Sequence, residues 1–102
     1  MANEEKICIK TDPEFAPLIP GYLLNRLNDA AKIDAAALSG DFETARRLGH
    51  CMKGSGSGYG FDGITEIGRD IELAAKAQDN AAIKAQTARL KDYLARLEII
   101  YD

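Results

Sequence analysis

The chain has 102 residues, 46% of them hydrophobic and 28% charged, with a net charge of −3. That is the size of one small domain, residues 1–102, with a single core, and its composition is not that of a disordered chain. The negative balance excludes a basic footprint for nucleic acid or an anionic membrane. No apolar run approaches a membrane span, and the opening Met-Ala-Asn-Glu-Glu-Lys is acidic where a secretory signal would be basic. A cytoplasmic protein is expected, with Cys8 and Cys51 as reduced small hydrophobes.

Residues 1–11 are polar around a brief Ile7-Cys8-Ile9 run and are expected to lie extended against the rest. Asp12-Pro13-Glu14 reads as a helix start, with an acid at the N-cap, proline at the first helical position and a carboxylate in the first turn. Pro17 and Pro20 keep that helix short. From Gly21 to Leu38, the residues Leu24, Leu27, Ala31 and Leu38 recur at helical steps and predict the buried face of an amphipathic helix. Ser39-Gly40-Asp41 ends it. Asp41 then caps a second helix, lined on one side by Ala45, Leu48, Met52, Ser55 and Tyr59 and ending near Gly60. Asp62 caps a third, with Ile64, Ile67, Ile71 and Ala74 as its stripe, running to about Gln78. After Asp79-Asn80 a fourth carries Ile83, Thr87, Leu90, Leu94, Leu97 and Tyr101. No strand pattern stands out and the links are short, so the expected fold is all-α: an up-and-down antiparallel four-helix bundle with a short N-terminal helix across one end.

The second helix contains the stretch that a plain helical protein would not choose. Five of the nine glycines fall between Gly49 and Gly60. The interior glycines Gly54, Gly56 and Gly58 together forgo roughly 3 kcal/mol of helix propensity. The only histidine, His50, stands among them, pointing away from the apolar side. Arg46, Arg47, His50, Lys53, Gly54 and Ser57 share one stripe. Lys53 leans back toward His50, and Gly54 leaves the imidazole uncovered. Nearby positive charge disfavours an imidazolium and leaves a ring nitrogen free to attack. A phosphoryl group arriving on that nitrogen would bring negative charge to Lys53. Gly56 is a candidate for close helix packing and Gly60 for a left-handed C-cap. A nucleotide-binding phosphate loop is absent, because the lysine precedes the glycines and no strand leads in. No metal site is expected, since Cys51 points about 100° away from His50.

His50-Cys51-Met52-Lys53-Gly54, with Gly60, Ile64 and the Ile71-Glu72 pair, resembles the signature of histidine-containing phosphotransfer (HPt) domains. The resemblance is close over residues 41–78 and architectural elsewhere. It departs from the commonest form in Met52, where leucine is frequent, and in Gly49, Gly56 and Gly58, where larger residues are usual. The resemblance implies a phosphorelay component: His50 accepts a phosphoryl group from an aspartyl phosphate of a response-regulator receiver domain and passes it to another aspartate. Lys53 assists, and Gly54 keeps the site clear for the docking receiver. Arg46, Arg47, Ser57 and Gly58 are assigned to partner binding. The implied partners are receiver domains and a sensor or hybrid histidine kinase. No cofactor is expected in this chain, with Mg²⁺ supplied by the receiver because no acidic cluster adjoins His50. The protein is expected to be a monomer and a phosphocarrier without ATP binding or kinase activity. The competing readings are a non-phosphorylated adaptor bundle and an oligomerisation module using the stripe from Ile83 to Tyr101.

Overall fold

A computed structural model of the chain describes residues 5–102; of the expected extended segment 1–11, residues 1–4 lie outside the described part. In chain order come strand β1 (Ile7–Thr11), a 3-10 turn (Pro13–Phe15), α1 (Ile19–Leu38), α2 (Phe42–Ser55), a second 3-10 turn (Ser57–Tyr59), α3 (Asp62–Lys76), α4 (Asn80–Arg96) and strand β2 (Leu97–Tyr101). Four helices make the body, and α1 packs on α2 and α4 while α3 packs on α2 and α4.

The caps follow from side chains that hold orphan backbone donors. Asp41 accepts from the Thr44 amide at 3.1 Å, and Asp79 accepts from the Ala82 amide at 3.0 Å. Asp62 is instead the first residue of α3, after Phe61; its charge still favours the helix start through the dipole. Phe61, Ile64, Ile67, Ile71, Ile83 and Leu90 are buried, as are Ala45, Met52, Ala74 and Thr87.

Several expectations are corrected. The N-terminal helix is a single 3-10 turn, because Pro17 and Pro20 follow too soon; Asp12 does cap it, accepting from the Glu14 amide at 2.9 Å. Pro20 sits in the first turn of α1, where a missing N–H leaves no bond unmade. The fourth helix stops at Arg96, and Leu97–Tyr101 is a strand paired in parallel with Ile7–Thr11, in register Ile7↔Leu97 through Thr11↔Tyr101. The largest correction concerns α1. Leu24, Leu27, Ala31 and Leu38 all face outward, and its buried side is Ile19, Ala30, Ile33, Ala36 and Ala37 with Asp29. Asp29 is tolerated inside because Arg26 Nε donates to it at 2.9 Å. The alanines on that side let neighbouring helices approach closely.

The glycine-rich segment is explained by close approach and not only by access. The second helix ends at Ser55, before the expected Gly60, and passes through the Ser57–Tyr59 turn to Gly60, whose φ of 94° is the left-handed value that glycine adopts freely. A Cβ on Gly49 would stand 2.9 Å from the Gly68 carbonyl, and one on Gly68 would stand 2.7 Å from the Gly49 carbonyl. The two glycines face each other where α2 crosses α3. Gly56 is likewise pressed on α3, 2.8 Å from the Phe61 carbonyl by the same measure. An aromatic cluster secures the end beyond: Tyr22 packs on Tyr59 at 4.6 Å and on Phe61 at 6.2 Å, with Phe15 edge-on to Tyr59.

Candidate functional site

The Gly49/Gly68 contact brings α2 and α3 so close that side chains one turn further on share a single groove. His50, Lys53 and Arg46 line its α2 bank, and all three converge on one residue of α3. Glu72 receives His50 Nδ1 at 2.9 Å on Oε2 and Lys53 Nζ at 2.7 Å on Oε1, while Arg46 lies 3.9 Å from Oε2. The Glu72 side chain is 7% exposed against 60% for His50. The acid is thus a buried floor, and the imidazole stands on it in solvent.

This arrangement sets the chemistry of the ring. The Lys53 hydrogen bond, with His50 and the positive charge around it, holds the Glu72 carboxyl below its ordinary range against the opposing effect of burial. Glu72 is therefore ionised at neutral pH and can only accept hydrogen bonds. With Nδ1 donating to it, His50 carries its proton on Nδ1, and the lone pair is on Nε2, which points away from the groove. The ring is oriented and its outer nitrogen is free. A group bonded to Nε2 would leave Nδ1–H in place and put positive charge on the ring directly above the Glu72 carboxylate.

The setting differs from the purely positive one expected. Arg46 Nε donates to Glu43 at 3.0 Å, and that pair lowers the Glu43 carboxyl and raises the Arg46 guanidinium from their ordinary values. Glu72 is the acid in contact with the histidine, and Glu43 reaches the groove only through Arg46. Among the described residues, no group of three or more His, Cys, Asp or Glu side chains could hold a metal ion.

Of the remaining predicted residues, Gly54 and Gly58 open onto empty space, with nothing within 4 Å of an added Cβ. Arg47 is exposed on the same helix. Ser57 does not continue the His50 stripe, because α2 has already ended. Its amide and hydroxyl donate to Thr65 Oγ1 at 2.8 and 3.0 Å, and Thr65 Oγ1 donates to the Lys53 carbonyl at 3.2 Å. Ser57 and Thr65 thus pin the end of α2 to α3. Glu72 entered the sequence reading only as part of a resemblance. The signal for it was a carboxylate inside the apolar run Ile71-Glu72-Leu73-Ala74-Ala75, on the side where α3 meets α2.

Residues 23–99 match the Hpt domain. The chain belongs to the Hpt domain family. Hpt domains carry phosphoryl groups in two-component signalling and interact with histidine kinases and response regulators. Neither curated proteins nor solved structures give a match. No described helix of this Hpt domain is long and apolar enough to cross a membrane.

Proposed function

We propose that this Hpt domain is a phosphohistidine relay protein of the cytoplasm, and that His50 Nε2 is the atom that carries the phosphoryl group. The observation that supports this most directly is the Nδ1–Glu72 hydrogen bond, which leaves Nε2 as the outward nucleophile. In the transfer, the Nε2 lone pair forms a bond to phosphorus as the bond from phosphorus to the aspartyl oxygen breaks, and the aspartate leaves as a carboxylate. Nδ1 keeps its proton, and Glu72 stabilises the positive ring. Lys53 is 38% exposed at its side chain, near enough to reach the new phosphoryl oxygens while Glu72 stays buried. A receiver domain would dock over the space left at Gly54 and Gly58, with Arg46 and Arg47 at its rim, and would bring its own Mg²⁺. The helices read as an up-and-down antiparallel bundle, since Tyr22 near the start of α1 bonds Ser55 at the end of α2, and Gly63 near the start of α3 packs on Tyr93 near the end of α4.

Incubation with a phosphorylated receiver is expected to label the protein with an acid-labile, alkali-stable phosphoramidate. His50→Gln is expected to abolish the label with the fold retained. Label on that variant would overturn the assignment, and a wild-type protein that binds receivers without taking up label would favour the adaptor reading.

A further inference from the structure

Arg46 divides its contacts between two acids of different kinds. The forked edge of its guanidinium is taken by Glu43, with Nε on Oε2 at 3.0 Å and Nη2 on Oε1. The remaining nitrogen, Nη1, lies 3.9 Å from Oε2 of Glu72. The Glu43 side chain is 71% exposed and that of Glu72 7%. An exposed pair one turn apart on a helix adds little to stability. Its geometric consequence is larger, because a two-point grip fixes the plane of the guanidinium, and in that plane Nη1 faces the buried acid.

Nη1 stops short of hydrogen-bond distance. Glu72 is already served without it, by Lys53 Nζ at 2.7 Å on one oxygen and His50 Nδ1 at 2.9 Å on the other. That changes once a phosphoryl group sits on Nε2. The new negative charge lies on the solvent side of the ring, and Lys53, following it outward, leaves Oε1 behind. A carboxylate buried this deeply is costly to leave short of a charged donor. If it took up a proton instead, it would no longer stabilise the positive ring. Among the described residues, the ion pairs of Glu72 are with His50, Lys53 and Arg46, so Arg46 is the cation left to it. An advance of about 1 Å brings Nη1 into range of Oε2, which has a second lone pair beside the one that His50 uses.

We propose that Arg46 is a positioning residue of the phosphotransfer, which takes over Glu72 when Lys53 turns to the phosphoryl group. This rests on the phosphotransfer reading and gives Arg46 a part inside the site in addition to its place at the rim. Arg46 acts through Glu72, and no covalent step or proton transfer falls to it. Glu43 aims the guanidinium from outside, Arg46 backs the buried acid, and the acid holds the ring.

Lys53→Met imitates the departure of Lys53 with no phosphoryl group present, and so tests the hand-over on the full chain without a donor. Nitrogen NMR shifts of the His50 ring, read about two pH units above the ordinary imidazole value, are expected to keep the Nδ1–H signature in Lys53→Met, where Arg46 takes up Glu72. In Lys53→Met/Arg46→Met the acid is left with no cation and turns toward water, and the ring is expected to exchange between tautomers. A double variant that keeps the Nδ1–H signature overturns the proposal. The second measurement uses phosphoramidate, a donor too small to dock. Arg46→Met keeps the apolar stem at a part-exposed position and is expected to slow uptake about 10-fold, as when a hydrogen-bonded supporting partner is lost. In a Glu72→Gln background it is expected to slow uptake no further, since Arg46 acts through that residue. An effect seen only with a receiver as donor, or one that adds to that of Glu72→Gln, assigns Arg46 to the docking rim alone and overturns the proposal. If the wild type takes up no label from either donor, the phosphotransfer reading falls, and the ring signatures still decide whether Arg46 backs Glu72.

Discussion

Glu72 is where sequence and chemistry meet most tightly, because one buried carboxylate answers three cationic or donor groups at once. Its folded-state ionisation lies below the ordinary value, so its contribution to stability is present above the unfolded-state pKa of about 4.3 and is lost as the pH falls through the folded value. Glu72→Gln is therefore expected to lower stability at pH 7 by about 1–2 kcal/mol, through weaker hydrogen bonds to Lys53 and His50. The difference from wild type is expected to shrink below about pH 4. Urea unfolding at pH 7 and pH 3 checks the sign, and a gap that widens in acid would refute it. The same substitution lets an amide N–H face Nδ1 and favours the wrong tautomer. Phosphoryl uptake is then expected to fall roughly 10–100-fold, as when a hydrogen-bonded supporting partner is removed. His50, Lys53 and Gly54 were legible as a constellation because all three lie on one helix, and helical spacing is visible in a sequence. The position of Glu72, 22 residues away on another helix, depends on how two helices cross, which spacing within either helix does not specify.

At the scale of elements, the glycines of α2 divide into two classes that the sequence presented as one cluster. Gly54 meets open space, so Gly54→Ala is expected to raise stability by up to about 1 kcal/mol through better helix propensity. Gly54→Gln is expected to fold while obstructing a receiver one turn from His50. Gly68→Ala is expected to behave oppositely. Its Cβ would press on the Gly49 carbonyl and on the backbone of Lys53, neither of which can rotate aside. The helices must separate, at a cost of about 1–3 kcal/mol or more, and the shared groove that places Glu72 beneath His50 opens with them. Thermal melts of Gly54→Ala and Gly68→Ala thus carry opposite signs, and a destabilised Gly54→Ala would show that its backbone is constrained in a way the open space around it does not indicate. Gly56, a candidate for close packing in the sequence, is pressed against the start of α3. A lone glycine in an otherwise regular helix carries no sign of close packing, and the reason for Gly68 lies in the partner helix. The helical steps of Leu24, Leu27, Ala31 and Leu38 predict the buried face of α1, yet all four are exposed and Ala30, Ile33, Ala36 and Ala37 are inside. Spacing alone does not separate two apolar stripes on one helix, and a tightly packed bundle can bury alanines and leave leucines outside.

For the whole molecule, the two short strands decide how the ends of the chain are held. A two-stranded sheet is marginal by itself, so β1 and β2 persist because they lie on the bundle. Ile9, Leu97 and Ile99 pack against the core, Thr11 Oγ1 donates to the Tyr59 carbonyl at 2.7 Å, and Arg96 Nε donates to the Glu5 carbonyl at 2.7 Å. The pairing was hidden from a sequence reading for two reasons. Its partners are about 90 residues apart, and Leu94, Leu97 and Tyr101 continue the three- and four-residue steps of α4 past the residue where the helix stops. Ending the chain after Arg96 removes β2 and leaves β1 without a ladder. Losing the two part-buried side chains of Leu97 and Ile99 is expected to cost about 2–3 kcal/mol, or a fall in Tm of roughly 10–20 °C. Hydrogen exchange should show the amides of Ile7–Thr11 losing protection while those of Ile64–Ala75 in α3 keep theirs below the new melting temperature. Since the Gly49/Gly68 crossing and the Glu72 contacts involve neither strand, chemical phosphorylation of His50 by phosphoramidate is expected to continue at close to the full-length rate. If the shortened chain instead keeps its Tm and its β1 protection, β1 is held by the bundle alone. If the chemical phosphorylation rate falls with the strands, the site and the chain ends are coupled, and the groove between α2 and α3 does not stand on its own.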